Sequence, residues 1–263
     1  MNAGSPQNQS LALAFQKRLC GFVSRFFDSA KKRRLNTQAR ETTEVTLDGI
    51  KLDVSKLSIT LRECLLENYY ENAERALCRK HLVQGDRVLE VGSAIGAVAL
   101  VCQKEVGITD YICVEANPET IQVLESNHKL NGFKPRVIHA ALAPSAGEVS
   151  FTISSFFPTD SLLSRKGGGD LRVITVPAKT LHGLFEECPF QPNVLIMDIE
   201  GAEQFIDFTA LPPSVEKIII ETHPGMIGWP ATWNVIGSLI SFGFKAVAQE
   251  HESVLLMRDP GPR

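Results

Sequence analysis

Four short apolar runs, each followed by a polar or helical stretch, constrain this chain more than anything else in it. They are "RVLEV" (87–91), "YICVE" (111–115), "NVLIMD" (193–198) and "VEKIIIET" (215–222). Near-continuous apolar runs of this length read as strands buried on both faces. Their alternation with helical segments predicts a parallel sheet covered by helices on both sides. "RVIHA" (136–140) is a further strand of the series. The final pair "FKAVAQ" and "SVLLMR", separated by Glu250-His251-Glu252, reads as a hairpin.

The intervening segments carry helix signals. After the first strand comes "IGAVALVCQKEV"; after the second, Asn117 is an N-cap, Pro118 the first helical residue and Gly132 the stop. A short helix is expected near 179–187, an acidic helix after "NVLIMD", and another from Pro230 to Phe242. Upstream, residues 44–60 read as short strands around Leu47-Asp48-Gly49, followed by one helix over roughly Ile59–His81. "EVSFTI" and "LRVITV" are β-like and flank "RKGGGD", so 154–170 is expected to be either a lid that touches an acceptor or plain surface loop.

The first 40 residues stand apart. They hold eight Lys/Arg and one Asp, a net +7 in a chain of net −3, so the remaining body is at −10. An acidic body excludes an extended nucleic-acid face. Residues 1–10 are polar. Leu11, Phe15, Leu19, Phe22 and Phe26 then recur at helical spacing up to the basic run Lys31-Lys32-Arg33-Arg34. This helix (10–34) either packs on its own domain or a partner, or lies on an anionic membrane surface. No apolar run approaches a membrane span, no secretory signal is evident, and the six cysteines form no CxxC pair. The expected location is cytoplasmic, with peripheral membrane contact as the variant. The expected organisation is a tail and basic helix (1–40), leading strands and helix (41–84) and the main domain (85–263).

Ligands of open α/β sheets bind beyond the carboxyl ends of the strands. Glu90-Val91-Gly92-Ser93-Ala94-Ile95-Gly96 lies at the first such end. Gly92 permits the turn and Gly96 close helix packing. Ala94 stands where a pyrophosphate-binding turn needs its middle glycine. Glu115 ends the second strand 23 residues after Gly92, where a carboxylate can accept hydrogen bonds from a ribose. Ribose recognition without a pyrophosphate turn points to S-adenosylmethionine, whose sulfonium favours acidic surroundings.

From about Tyr70 to Glu203 the chain resembles the FkbM-type methyltransferases, a family of class I S-adenosylmethionine-dependent enzymes. The resemblance rests on "YENAE" (70–74), "GDRVLEVGSAIG" (85–96), "VEANPE" (114–119), "SNHKLNG" (126–132), "VPAKTL" (176–181) and "IMDIEGAE" (196–203), with "IIIETHP" (218–224) as a further likeness. It implies a Rossmann-like, seven-stranded, mostly parallel sheet with an antiparallel last strand. It also implies methyl transfer, usually to an oxygen of a sugar, glycan or small metabolite. The cofactor-binding candidates are Glu71, Glu90, Gly92, Ser93, Ala94, Ile95, Gly96, Glu115, Ala116, Asn117, Ala141 and Asp198. The chain departs from the family at Ser93-Ala94, where Ala-Asn is usual, at Ala116 for Pro and at Met197 for Lys.

Methyl transfer is an in-line displacement in which much of the help is orientation. An ordinary carboxylate is a poor base for a sugar hydroxyl. Either burial raises its pKa, a histidine serves, or a divalent metal activates the acceptor. The catalytic candidates are Asp198, Glu200, Glu221 and His223, with Asp198 the best placed. Asp198 and Glu221 end neighbouring strands and with His223 could hold Mg²⁺ or Mn²⁺; His223 is alternatively the base. Glu200 and Glu203 either join this site or begin a helix, where the macrodipole favours acid. Two other functions compete. A nucleic-acid or protein methyltransferase is disfavoured by "DIEG" in the place where amino methylases of bases carry Asn/Asp-Pro-Pro-aromatic. A non-catalytic, membrane-associated cofactor-binding module is motivated by the basic helix.

Overall fold

The computed structural model describes residues 29–154 and 171–259. Residues 10–28 of the amphipathic helix, and the loop 155–170, lie outside the described residues.

The chain enters on α1 (Ser29–Glu41) and a hairpin of β1 (Glu44–Leu47) and β2 (Ile50–Asp53). Asp48 and Gly49 both have positive φ, the two-residue turn whose twist matches paired strands. Two helices follow, α2 (Ile59–Leu66) and α3 (Asn72–His81), not the single helix expected over 59–81. Asn68 and Glu71 adopt left-handed backbone, which ends one helix and restarts the next in a new direction. Buried Arg75 of α3 fastens the break. Its guanidinium donates to the Tyr70 carbonyl and to Asn68 Oδ1, and it pairs with Asp48 at the hairpin turn. The break thereby turns the first residues of α3 toward the sheet.

The sheet then builds from β3 (Arg87–Val91), β4 (Asp110–Glu115), β5 (Val137–His139), β9 (Val194–Met197), β10 (Lys217–Glu221), β11 (Lys245–Glu250) and β12 (Ser253–Met257). Its order is β11-β12-β10-β9-β3-β4-β5. The pairs from β5 through β10 are parallel, and β12 runs antiparallel to both β10 and β11. This is the Rossmann-like class I methyltransferase arrangement, with its antiparallel last strand, and the order reverses direction between β3 and β9. A smaller sheet, β6 (Ala141–Leu142), β8 (Leu171–Lys179) and β7 (Gly147–Ser154), flanks it.

Helices cover both faces. On one side α3 and α4 (Ala97–Val101), the latter continued by a π-turn to Val106, pack over Val88, Ile196 and Ile219. On the other, α6 (Leu181–Glu187) and α7 (Pro224–Ser241) pack over Leu89, Leu195 and Ile218. The hairpin and α2 share a third apolar cluster with Ile95, Leu100 and Val123, so the leading segment is part of the body's core. Burying such side chains stabilises by about 1.5–3 kcal/mol each.

One further expectation is corrected. No α-helix follows "NVLIMD". Glu200 and Gly201 both have positive φ, which a right-handed helix cannot use, and two short 3₁₀ turns (Ala202–Phe205 and Phe208–Ala210) form instead. The helix expected from Pro230 to Phe242 is present: Gly228, with φ 81° and ψ 155°, is non-helical, so a short helical turn from Pro224 ends there and the second part of α7 follows, with Pro230 in its first turn, to Ser241.

Candidate functional site

The carboxyl ends of β3, β4, β9 and β10 meet at one edge of the sheet, and most candidate residues lie there. The loop after β3 is shaped by contact with the loop after β9. A Cβ on Gly92 would lie 1.7 Å from the Asp198 carbonyl oxygen, and its φ is +86°. Nothing larger than glycine fits, because two strand ends cross there. A Cβ on Gly96 would meet buried His128 at 2.7 Å.

Glu115 at the end of β4 braces the same turn. Its Oε2 accepts from the Ala94 N–H at 2.9 Å and its Oε1 from the Asn117 N–H at 2.8 Å. These two bonds fix the carboxylate in place at the end of β4. Asn117 caps α5 (Pro118–Leu130) by accepting from the Glu119 N–H. Ser93 is buried, with its hydroxyl on the Glu90 carbonyl.

Not every candidate presents its side chain to this edge. The Ile95 side chain packs in the core with Leu100 and Val101. Its carbonyl accepts from Asn127 Nδ2 at 3.0 Å, while Asn127 Oδ1 accepts from the Asp53 N–H at 2.8 Å. Asn127 therefore ties the turn after β3 to strand β2, a role that its helix position in the sequence did not disclose. Ala116 and Ala141 pack together with Phe151 and Val176 where the small sheet joins the large one.

Beside Gly92 is a cavity of about 10 Å³, the space of one water. It is lined by Glu71, Glu74, Glu90, Gly92 and Asp198 among others. Of the four carboxyl groups around this space, Glu71, Glu74 and Glu90 are raised, by burial first and by neighbouring charge second. Burial pushes Glu90 up to about 8. Burial and then the charge of Glu90 hold Glu71 well above the carboxylate range. Burial and then the charge of Asp198 raise Glu74, whose Oε1 accepts from the Ser253 hydroxyl of β12. Glu71 and Glu74 come from the redirected start of α3, so the break between α2 and α3 supplies half of the cavity's acid.

Next to the cavity is a second constellation, centred on His223 at the N-terminus of α7. Asp198 Oδ1 is 3.4 Å from its Nε2, Glu221 Oε2 3.7 Å and Glu200 Oε2 3.8 Å. On the far side of the ring, Nδ1 is 3.2 Å from Oε1 of Glu203. The left-handed backbone at Glu200 and Gly201 folds the chain back so that both glutamates reach one imidazole. Burial alone would lower the His223 pKa, but Asp198 and Glu203 override it and push it up to about 11. Burial alone would raise Asp198, and the imidazolium instead holds it below the ordinary value. Glu221 is pushed well above its usual range by burial and then by Asp198. With its pKa raised by Asp198 and Glu203, the His223 imidazole stands as a hydrogen-bond donor between them. Glu203 stands in the first turn of the 3₁₀ helix and its carboxylate also reaches His223.

No protein-family model and no curated protein matches the sequence. Among solved structures the fold is similar to precorrin-6y C5,15-methyltransferase from Geobacter metallireducens GS-15, at 12% identity over 70% of this chain and 87% of that one, TM-score 0.44. It is also similar to a putative caffeoyl-CoA O-methyltransferase from Staphylococcus aureus, at 14% identity over 70% and 80%, TM-score 0.44. A third is ribosomal protein L11 methylase from Lactobacillus delbrueckii subsp. bulgaricus, at 12% over 73% and 81%, TM-score 0.42. At such identities and scores the likeness extends to the fold and no further.

Proposed function

We propose that the protein is an S-adenosylmethionine-dependent methyltransferase that methylates a hydroxyl of a sugar, glycan or small metabolite. The observation that carries this reading is the pairing of a braced Glu115 with the carboxylate-lined cavity across the Gly92 turn. The first suits a ribose, and the second, the size of one water, suits the ammonium group at the cofactor's methionine end. The fold neighbours include methyltransferases with several kinds of acceptor, so the acceptor class rests on this site's own chemistry. The Asp198 carboxylate, held in its charged form, would repel a phosphate-bearing acceptor, which favours a neutral hydroxyl over nucleic acid.

In the proposed reaction the acceptor oxygen lies opposite the sulfur, in line with the methyl group. The C–O bond forms as the C–S bond breaks, and the sulfonium leaves as a neutral thioether. The hydroxyl proton passes to the Asp198–Glu221 carboxyl pair. Orientation across the cavity's edge supplies most of the acceleration, with the carboxyl pair contributing on the order of 10²–10⁴-fold.

The test is transfer from methyl-labelled S-adenosylmethionine into a fractionated extract. Label in a carbohydrate or small-molecule pool, stable to base as an ether, is the expected result. Label in RNA, DNA or protein would contradict the acceptor class, and no incorporation with any pool would contradict the activity.

A further inference from the structure

We propose that Asp198, Glu200 and His223 form a binding site for a first-row divalent cation of the Mn²⁺ class. One oxygen of each carboxylate and one ring nitrogen lie within 4.8 Å of one another. The Nε2 distances to Asp198 Oδ1 and Glu200 Oε2 are 3.4 and 3.8 Å. A cation with bonds of roughly 2.1 Å separates neighbouring ligand atoms by about 3–3.5 Å. The three donors therefore need only small adjustments to share one ion.

The surroundings point to a ligand independently. Asp198 Oδ1 is buried and makes no hydrogen bond of ordinary geometry, its contact being the His223 Nε2 at 3.4 Å. Behind the ring, Glu203 is only 1% exposed, its Oε1 stands on Nδ1 and its Oε2 has no hydrogen-bond partner. Buried polar atoms left without partners are rare and call for an ion or water. A carboxylate on Nδ1 is the arrangement that turns Nε2 toward a metal and fixes the imidazole's orientation. A cation would take the place of the Nε2 proton, which leaves to solvent, and would keep a positive charge where the carboxylates converge. A mixed nitrogen and oxygen set favours Mn²⁺ over Mg²⁺, which prefers oxygen alone.

The inference deepens the proposed function, because a cation here would lower the pKa of an acceptor hydroxyl. The site itself is testable without the cofactor. Metal-stripped full-length protein is titrated with MnCl₂ alone, by calorimetry and by the paramagnetic resonance of free Mn²⁺. One saturable site is expected. Asp198→Asn, Glu200→Gln and His223→Gln each should weaken it at least tenfold, and Glu203→Gln by about 10–100-fold. Glu44→Gln, on the distant exposed hairpin, should leave it unchanged, and MgCl₂ should bind at least tenfold more weakly. If the variants fold poorly, substoichiometric Mn²⁺ should broaden the His223 imidazole resonances of the wild-type protein before those of exposed His182 and His251. No saturable binding, binding retained in both Asp198→Asn and His223→Gln, or broadening that favours an exposed histidine would each overturn the site. S-adenosylmethionine binding measured without metal separates the two claims: if it persists while Mn²⁺ fails to bind, only the cation site is lost.

Discussion

At the residue scale, the most exacting position is Gly92. A methyl group there would occupy the space of the Asp198 carbonyl. Gly92→Ala should destabilise the fold by about 1–3 kcal/mol from overpacking, with a further 1–2 from the left-handed backbone. It should also abolish cofactor binding; a urea midpoint at the wild-type value would contradict the crossing. Glu90 makes a different prediction. Its folded pKa is pushed up to about 8, above an unfolded value near 4.5. The folded state therefore holds a proton that the unfolded state has released. Its stabilising contribution is complete below about pH 4.5 and is lost as pH rises through 8, at about 1.4 kcal/mol per unit for a single group. Unfolding free energies of Glu90→Gln measured from pH 5 to 8 should fall less steeply than those of the wild type. Parallel curves would show that Glu90 is ionised throughout. Asn127 was visible in the sequence only as part of a helix. Its two bonds, to the Ile95 carbonyl and from the Asp53 N–H, are contacts between distant segments that no local pattern encodes.

At the element scale, the decisive feature is the break between α2 and α3. Periodicity joined these segments into one helix, because apolar spacing continues across residues 67–71 and says nothing of the left-handed backbone at Asn68 and Glu71. The break is held by the buried Arg75–Asp48 pair. Asp48→Asn keeps a residue that tolerates positive φ and removes only the charge that buried Arg75 and neighbouring Arg79 share. A destabilisation of about 3 kcal/mol is expected, with weaker cofactor binding as Glu71 and Glu74 lose their placement. A loss below about 0.5 kcal/mol in chemical denaturation would show that the pair does not hold the break. The segment after β9 teaches the same lesson from the other side. Acidic residues after a strand suggested a helix start, yet Glu200 and Gly201 turn the chain the other way and deliver Glu203 to His223.

At the scale of the whole molecule, the strands were legible because burial on both faces leaves near-continuous apolar runs. β3, β4, β9 and β10 each fall within one or two residues of the expected bounds. The turn glycines and Glu115 were legible because their positions follow from where strands end. The convergence on His223 was legible for Asp198 and Glu221, and for Glu200 and Glu203 as one of two alternatives. Glu71 was a candidate for this edge, whereas the placement of Glu74 depends on a backbone reversal that sequence spacing conceals. Among the described residues no helix is long and apolar enough to cross a membrane. The acid gathered at the sheet's carboxyl edge gives the molecule a face suited to a cationic ligand, and the central claim is that this ligand is S-adenosylmethionine. Isothermal titration of the full-length protein with S-adenosylmethionine tests it most directly. Saturable one-to-one binding, weakened at least tenfold by Glu115→Ala and retained in Asp198→Asn to within a few-fold, is the predicted result. No heat of binding at millimolar cofactor, or affinity indifferent to Glu115→Ala, would contradict it.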